Sequence, residues 1–217
     1  MPADPPKPRG KPRSPRRKPV AKLRITVTHL EMTHPPAHRP VPMPGGALAL
    51  LHAERPTTSF YRYLYNTVGE PWLWGDRRAF DDDAIRAILD DPRTTVLVLY
   101  RNGVPAGFAE LHRRDERTTE LVYLGLVPEF MDQGLGRYLL QAAVEHGWGH
   151  DGIERMIVQT CDLDHPKAVV LYQWIGFVPT GQEQLVRDDP RALGLIPATA
   201  APHRPMAKGR PPSAGPG

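Results

Sequence analysis

The sequence predicts a single mixed α/β domain with a proline-rich tail at each end, and three observations predict it. Between residues 22 and 190, apolar runs of strand length alternate with amphipathic runs of helix length. The flanks, 1–21 and 191–217, are rich in proline and poor in large apolar residues, so they offer little surface to bury and read as flexible tails. A chain of 217 residues without internal repeats suits one domain of ordinary size.

The elements follow in order. "KLRITVTHLEM" suits a strand, and the proline-rich "THPPAHRPVPMPGG" after it cannot hold a regular element. "ALALLHAE" reads as a short strand. "TTSFYRYLYNTVG" begins on Thr/Ser and spaces its aromatics helically, so it predicts a helix. "DDDAIRAILDD" predicts a second, short helix, its acids favouring the N-terminal end. "TTVLVLY", a turn at "RNG" and "VPAGFAELHRR" make a hairpin. "TTELVYLGLV" is nearly all apolar and belongs in mid-sheet. "GLGRYLLQAAVEHGW" is a long amphipathic helix and "RMIVQTC" a strand. "HPKAVVLYQWIGF" is a helix with Pro166 in its first turn and Gly176 at its end. "FVPTGQEQLV" closes the domain as a strand.

Charge and cysteine usage narrow the setting. Of the net charge of +4, residues 1–20 hold seven basic residues against Asp4, a balance of +6, which leaves −2 for the rest. The basic character therefore belongs to the tail, read as a solvated extension. The single Cys161 excludes an intrachain disulfide and fits a reducing interior. There is no apolar run of bilayer length, and the N-terminus lacks the apolar stretch of a secretory signal. The expectation is a cytoplasmic protein with no membrane or nucleic-acid partner, acting as a monomer or homodimer.

Gly134 and Gly136 stand where an apolar strand turns into an apolar helix, in "LVYLGLVPEFMDQGLGRYLL". Glycine weakens both kinds of element. A tight turn would account for the pair, and so would close approach of an anion to the bare N–H groups of a helix start. Met131 to Gly136 reads Met-Asp-Gln-Gly-Leu-Gly, followed downstream by Ala168, Tyr172 and the pair Gly176-Phe177. In that order and separation, these residues resemble two motifs of the Gcn5-related N-acetyltransferases (GNAT). The first is the family's acetyl-CoA motif, Q/R-x-x-G-x-G/A. The resemblance covers roughly residues 22–187 and is strongest over 120–177. It implies a splayed, mixed central sheet with acetyl-CoA wedged into the splay and no metal cofactor.

Acetyl transfer from a thioester to an amine needs a held pyrophosphate, a polarised carbonyl, a base for the ammonium and an acid for the thiolate. Backbone N–H groups of Gly134, Leu135 and Gly136 suit the pyrophosphate. The resemblance places the carbonyl donor near Leu126 or Val127. Glu120, fourteen residues before Gly134, stands at the spacing of the family's catalytic glutamate and is the expected base. Glu110, on the preceding strand, competes with it. Tyr172 is the expected acid, since a phenol is suited to protonating a thiolate. Tyr61, Tyr65, Trp72 and Trp74 fall in the segment that roofs the pocket in this family and would suit an aliphatic or cationic amine. The acceptor is expected to be a small-molecule or peptide amine.

The sequence departs from the family pattern in three places. Met131 replaces the motif's Gln or Arg, Asp132 adds a negative charge where pyrophosphate would sit, and His165 stands where many relatives have asparagine. Gln133 or Arg137 would compensate at the cofactor loop. Asp162, Asp164 and His165 read as a helix cap, with Asp164 beside Pro166, in preference to a metal site. Cys161 reads as a small buried apolar residue, with a covalent acetyl-cysteine as the other use. Two further functions stand beside the transferase: a weak or inactive acyl-CoA-binding protein, signalled by Asp132, and a nucleic-acid-associated protein using the basic tail.

Overall fold

The computed structural model describes residues 20–37 and 41–206. The expected basic tail, residues 20 and 21 apart, and residues 207–217 lie outside the described residues. The elements run β1 (Lys22–Met32), β2 (Leu48–His52), α1 (Thr58–Gly69), α2 (Asp82–Leu89), β3 (Thr94–Arg101), β4 (Val104–Arg113), β5 (Thr118–Leu126), α3 (Leu135–Trp148), β6 (Arg155–Cys161), α4 (Ala168–Ile175) and β7 (Val178–Asp188). Short 3₁₀ turns follow α1 and β5. No helix among the described residues is long and apolar enough to cross a membrane.

Local chemistry explains the boundaries. Thr57 caps α1, its hydroxyl accepting from the Phe60 N–H at 3.2 Å. Tyr61, Leu64, Tyr65 and Val68 then recur at helical spacing along the buried side. Asp81 caps α2 through the Ala84 N–H at 2.8 Å, with Asp82 and Asp83 in the first turn complementing the helix dipole. Between β3 and β4, Asn102 and Gly103 both take left-handed backbone, φ 51° and 84°. That geometry turns a two-residue hairpin without splaying its strands.

The seven strands form one sheet in the order β2-β3-β4-β5-β6-β1-β7. Every neighbouring pair is antiparallel except β5 and β6. That parallel pairing is confined to four positions, Thr118–Leu121 against Arg155–Val158. Beyond Leu121 the two strands part, so the middle of the sheet opens as a V. The strand also bulges there. Glu110 faces Tyr123 and Leu111 faces Leu121, which leaves Val122 as the extra residue. The bulge shifts β5 away from regular pairing where the gap begins.

Helices cover both faces. On one, Leu139, Leu140, Ala143 and Ile175 of α3 and α4 pack on Leu111, Leu121, Met156 and Val158. On the other, Tyr61, Leu64, Val68 and Ile85 of α1 and α2 pack on Val96, Val98 and Phe108. A third cluster joins Ile25 and Val27 of β1 to Leu73, Leu163, Ile196 and Ala201.

This third cluster corrects the reading of the C-terminal region. Residues 191–206 were expected in a flexible tail, yet Ile196, Ala200 and Ala201 are buried. Arg191 is 6% exposed; its guanidinium meets Asp189 at 2.8 Å and donates to the carbonyls of Ala200 at 3.1 Å and Arg204 at 2.7 Å. One buried arginine thus satisfies the backbone of a segment too proline-rich to form a ladder.

Candidate active site

A cavity of about 1190 Å³ lies where β5 and β6 part, and it runs from the start of α3 to the C-terminal segment. Two sides of it differ in kind. The first is made of backbone. Gly134 caps α3 with φ 77°, a conformation that side chains rarely adopt. Gly136 is not required by its backbone angle or by packing. A Cβ there would touch nothing closer than a Leu126 methyl at 3.8 Å, so the space in front of its amide is open to the cavity. The first N–H groups of α3, those of Leu135, Gly136 and Arg137, have no partner within the helix. The Leu135 side chain is fully buried in the core, so its contribution is limited to the backbone.

β5 adds a second set of amides. The Val127 N–H donates to the Ala106 carbonyl at 2.9 Å and is therefore already used. Hydrogen-bonded and non-hydrogen-bonded pairs alternate along an antiparallel ladder, so the neighbouring pair Gly107–Leu126 is non-bonded. The Leu126 N–H then turns away from β4, toward the gap. The structure selects Leu126 over Val127, which lies outside the cavity lining.

The side chains of the motif loop divide. Met131 and Arg137 line the cavity, and the Arg137 guanidinium sits 5.1 Å from the Trp174 ring centre. Gln133 does not reach it. Its amide turns back to donate to the Glu129 carbonyl at 2.9 Å, which fixes the loop. Asp132 lines the cavity, but Lys167 lies 3.7 Å from its carboxylate and offsets the charge.

The second side is made of side chains from distant segments. Glu120 is 6% exposed, faces the cavity and is ion-paired with Arg114. Glu110 is not brought there. It is 1% exposed, meets Arg77 at 2.7 Å and accepts a hydrogen bond from Tyr61. What covers each glutamate differs: Tyr61 of α1 and Arg77 close over Glu110, whereas Glu120 stands in the short β5–β6 pairing beside the gap. Tyr61 is likewise fully buried and absent from the lining, its phenol held protonated by burial and by Glu110. Tyr65, Trp72 and Trp74 do line the cavity. Tyr65 is pushed up to about 12, first by burial.

Tyr172 on α4 lines the cavity, its ring edge-on to Phe177 at 6.0 Å. Burial, then the Asp164 charge, raise its phenol above the ordinary value, so it carries its proton at neutral pH. Asp164 is not a helix cap as expected. α4 begins at Ala168 with no side-chain cap. The Asp164 carboxylate instead accepts from Trp74 Nε1 at 3.1 Å, from the Thr160 hydroxyl at 2.8 Å and from the Cys161 N–H at 2.9 Å. It ties the α1–α2 loop to the end of β6. Sequence reasoning missed this role, along with those of Arg114 and Arg77, because no local spacing announces contacts across such separations.

A sheet that parts at its middle strands, with a bare helix start on one side and a buried carboxylate and phenol on the other, defines an acyl-transfer fold. The chain matches the acetyltransferase (GNAT) family over residues 58–177, more than half its length, and belongs to that family. Among solved structures it is similar to a GCN5-related N-acetyltransferase from Kribbella flavida, at 16% identity and TM-score 0.52, covering 78% of this chain and 60% of that one. A GCN5-related N-acetyltransferase from Sphaerobacter thermophilus gives 14% identity and TM-score 0.51, with 77% and 51% covered. A Drosophila protein gives 13% identity and TM-score 0.57, with 79% and 53% covered. The chain thus spans less than two thirds of the length of these structures, and the likeness is one of fold. No curated protein matches the chain.

Proposed function

We propose that the protein transfers an acetyl group from acetyl-CoA to a primary amine by direct attack in a ternary complex. One observation carries this reading. The Leu126 amide faces the gap of the V beside the bare N-terminus of α3, in one cavity with Glu120 and Tyr172. Acetyl-CoA supplies an activated thioester and a pyrophosphate, and the residues present suit both. The N–H groups at the start of α3 donate to the pyrophosphate oxygens without a side chain at Gly136 in the way. The Leu126 N–H donates to the carbonyl oxygen as that oxygen gains charge. Glu120 leaves its pairing with Arg114 and takes the proton of the incoming ammonium on a carboxylate oxygen. As the C–S bond breaks, Tyr172 gives its phenolic proton to the departing sulfur, and the second proton shed by the amide nitrogen restores the phenol. Arg137 adds positive charge at the pyrophosphate end, where Lys167 already offsets Asp132. An inactive acyl-CoA binder was motivated by Asp132, and the nearness of Lys167 weakens that motive.

Calorimetric titration of the full-length protein with acetyl-CoA tests the reading. Gly136→Val is expected to abolish binding while circular dichroism stays that of the folded domain. Unchanged affinity in the variant, or no binding by the original protein, would overturn it.

A further inference from the structure

Part of the cavity wall lies outside the region that matches the family. Leu23 and Ile25 of β1 line it, together with Pro190, Leu193 and Leu195 of the C-terminal segment. That segment is built in. Asp189 and Arg191 pair at 2.8 Å, both buried. Arg78 donates to the Leu195 carbonyl at 3.1 Å and to the Asn66 carbonyl at 3.0 Å, which ties the segment to the end of α1. Pro190 is packed so closely on Gly75 that a Cβ on that glycine would come within 2.9 Å of it. His203 stacks near Trp72 at 5.9 Å. These anchors hold Leu193 and Leu195 at the cavity beside the 72–80 loop.

The charges on this side are balanced. Asp76 is paired with Arg187 at 3.4 Å, Glu120 with Arg114, and Asp188 with Lys22. Arg77 is paired with Glu110. Among the described residues, Asp164 is the lining carboxylate of this side without an ion-pair partner, and its hydrogen bonds come from uncharged donors. Apart from the uncharged polar groups of Tyr65, Tyr123, Gln159, Thr160 and His165, the rest of the wall is mostly apolar, with leucine, isoleucine and tryptophan. Besides the base Glu120, which takes the proton of the reacting ammonium, a polycation would meet one unneutralised carboxylate and a large apolar face, and would leave its further ammonium groups desolvated without partners. A single ammonium on an apolar body would satisfy both the charge and the surface.

We infer that the acceptor is a monoamine carried on an apolar body, and that Leu193 and Leu195 of the C-terminal segment select it against polycations. The inference rests on the acetyl-transfer reading for its chemistry, but its test reads amine binding directly. Benzylamine and spermidine are titrated calorimetrically into the full-length protein and into Leu193→Ala and Leu193→Asp. Leu193 is half-exposed, so both variants should fold, which their melting temperatures check. The original protein is expected to bind benzylamine more tightly than spermidine. Leu193→Ala should weaken benzylamine about tenfold, the usual worth of a lost apolar contact in a pocket. Leu193→Asp should also weaken benzylamine, yet strengthen spermidine. Opposite movements of the two amines are not expected from a merely structural residue. Spermidine binding the original protein more tightly, benzylamine indifferent to both variants, or neither amine binding would overturn the inference. Each of these results leaves the acetyl-CoA titration, and with it the transferase reading, standing or falling by itself.

Discussion

On its cofactor side the cleft is built from one stretch of chain, the strand, loop and helix start between Leu124 and Arg137. On its acceptor side it is built from many separated stretches, among them β1, Tyr65, the 72–80 loop, Arg114 with Glu120, residues 160–165, Tyr172 and residues 187–195. The first side works through main-chain amides and the second through side chains. In the proposed transferase, this difference lets the motif vary at Met131 and Asp132. An amide donor is indifferent to the side chain it carries, provided that φ and close approach are kept at Gly134 and Gly136. The acceptor side has no such tolerance, because each contact there depends on a named side chain arriving from elsewhere.

The comparison is broken most severely at Glu110. The structure makes it a structural residue with no access to the cavity, since Arg77 and Tyr61 enclose it. Glu110→Ala leaves the Arg77 charge without its partner in a largely buried place. Removing one member of a buried pair costs about 3–5 kcal/mol. Urea unfolding should show that loss, while acetyl-CoA affinity of the folded fraction holds. Full stability with collapsed turnover would instead bring Glu110 into the chemistry.

A smaller effect, confined to turnover, is expected at Glu120. Glu120→Gln keeps the side chain's size but cannot accept the proton. Turnover near neutral pH should fall by roughly 10²-fold or more, and the acid limb of the pH–rate profile should vanish or move. Acetyl-CoA affinity should hold, because that half of the cleft is backbone. Tyr172→Phe should slow turnover without moving the acid limb, since it serves the departing sulfur. A change in acetyl-CoA affinity in Glu120→Gln would show that the two sides are not separable.

The same division governs what the sequence discloses. Every strand and helix described above was legible, because periodicity, caps and the Asn102-Gly103 turn are local signals. The turn into α3 was legible too, through two glycines ahead of an apolar helical run. Even there the sequence left Leu126 and Val127 equal, and a single hydrogen bond from Val127 to Ala106 separates them. Glu110 and Glu120 were both candidate bases, because the Tyr61 and Arg77 that enclose Glu110 arrive from distant segments that residue types do not announce. Asp164 beside Pro166 looked like a helix cap, yet its partners are Trp74 and Thr160. The C-terminal segment was missed for a compositional reason. Its burial rests on one isoleucine, two alanines and an arginine scattered among prolines, too few to mark a core by count.

The smallest effect is expected at Cys161, and it sharpens the acceptor side most. Cys161 lines the cavity at the end of β6, where an acetyl-cysteine would have to form if the reaction went by two transfers. Burial, then the charge of Asp164, push its thiol up to about 11 from an ordinary 9.0. The thiolate is the nucleophile, so a gap of two pH units lowers its population at pH 8 by roughly 10²-fold relative to an unperturbed thiol. Iodoacetamide should therefore modify Cys161 slowly at pH 8, with a rate that climbs until the pH approaches 11. The sign for stability is the same: a thiol whose folded value is raised contributes stability below pH 9 and loses it as the pH rises toward 11. Cys161→Ala should leave turnover within about twofold, as expected of a side chain whose role is packing. A rate of alkylation that titrates near pH 8.5, together with loss of turnover in Cys161→Ala, would mean that Asp164 does not hold the thiol neutral. The acetyl group would then pass through sulfur, and direct attack in a ternary complex would be wrong.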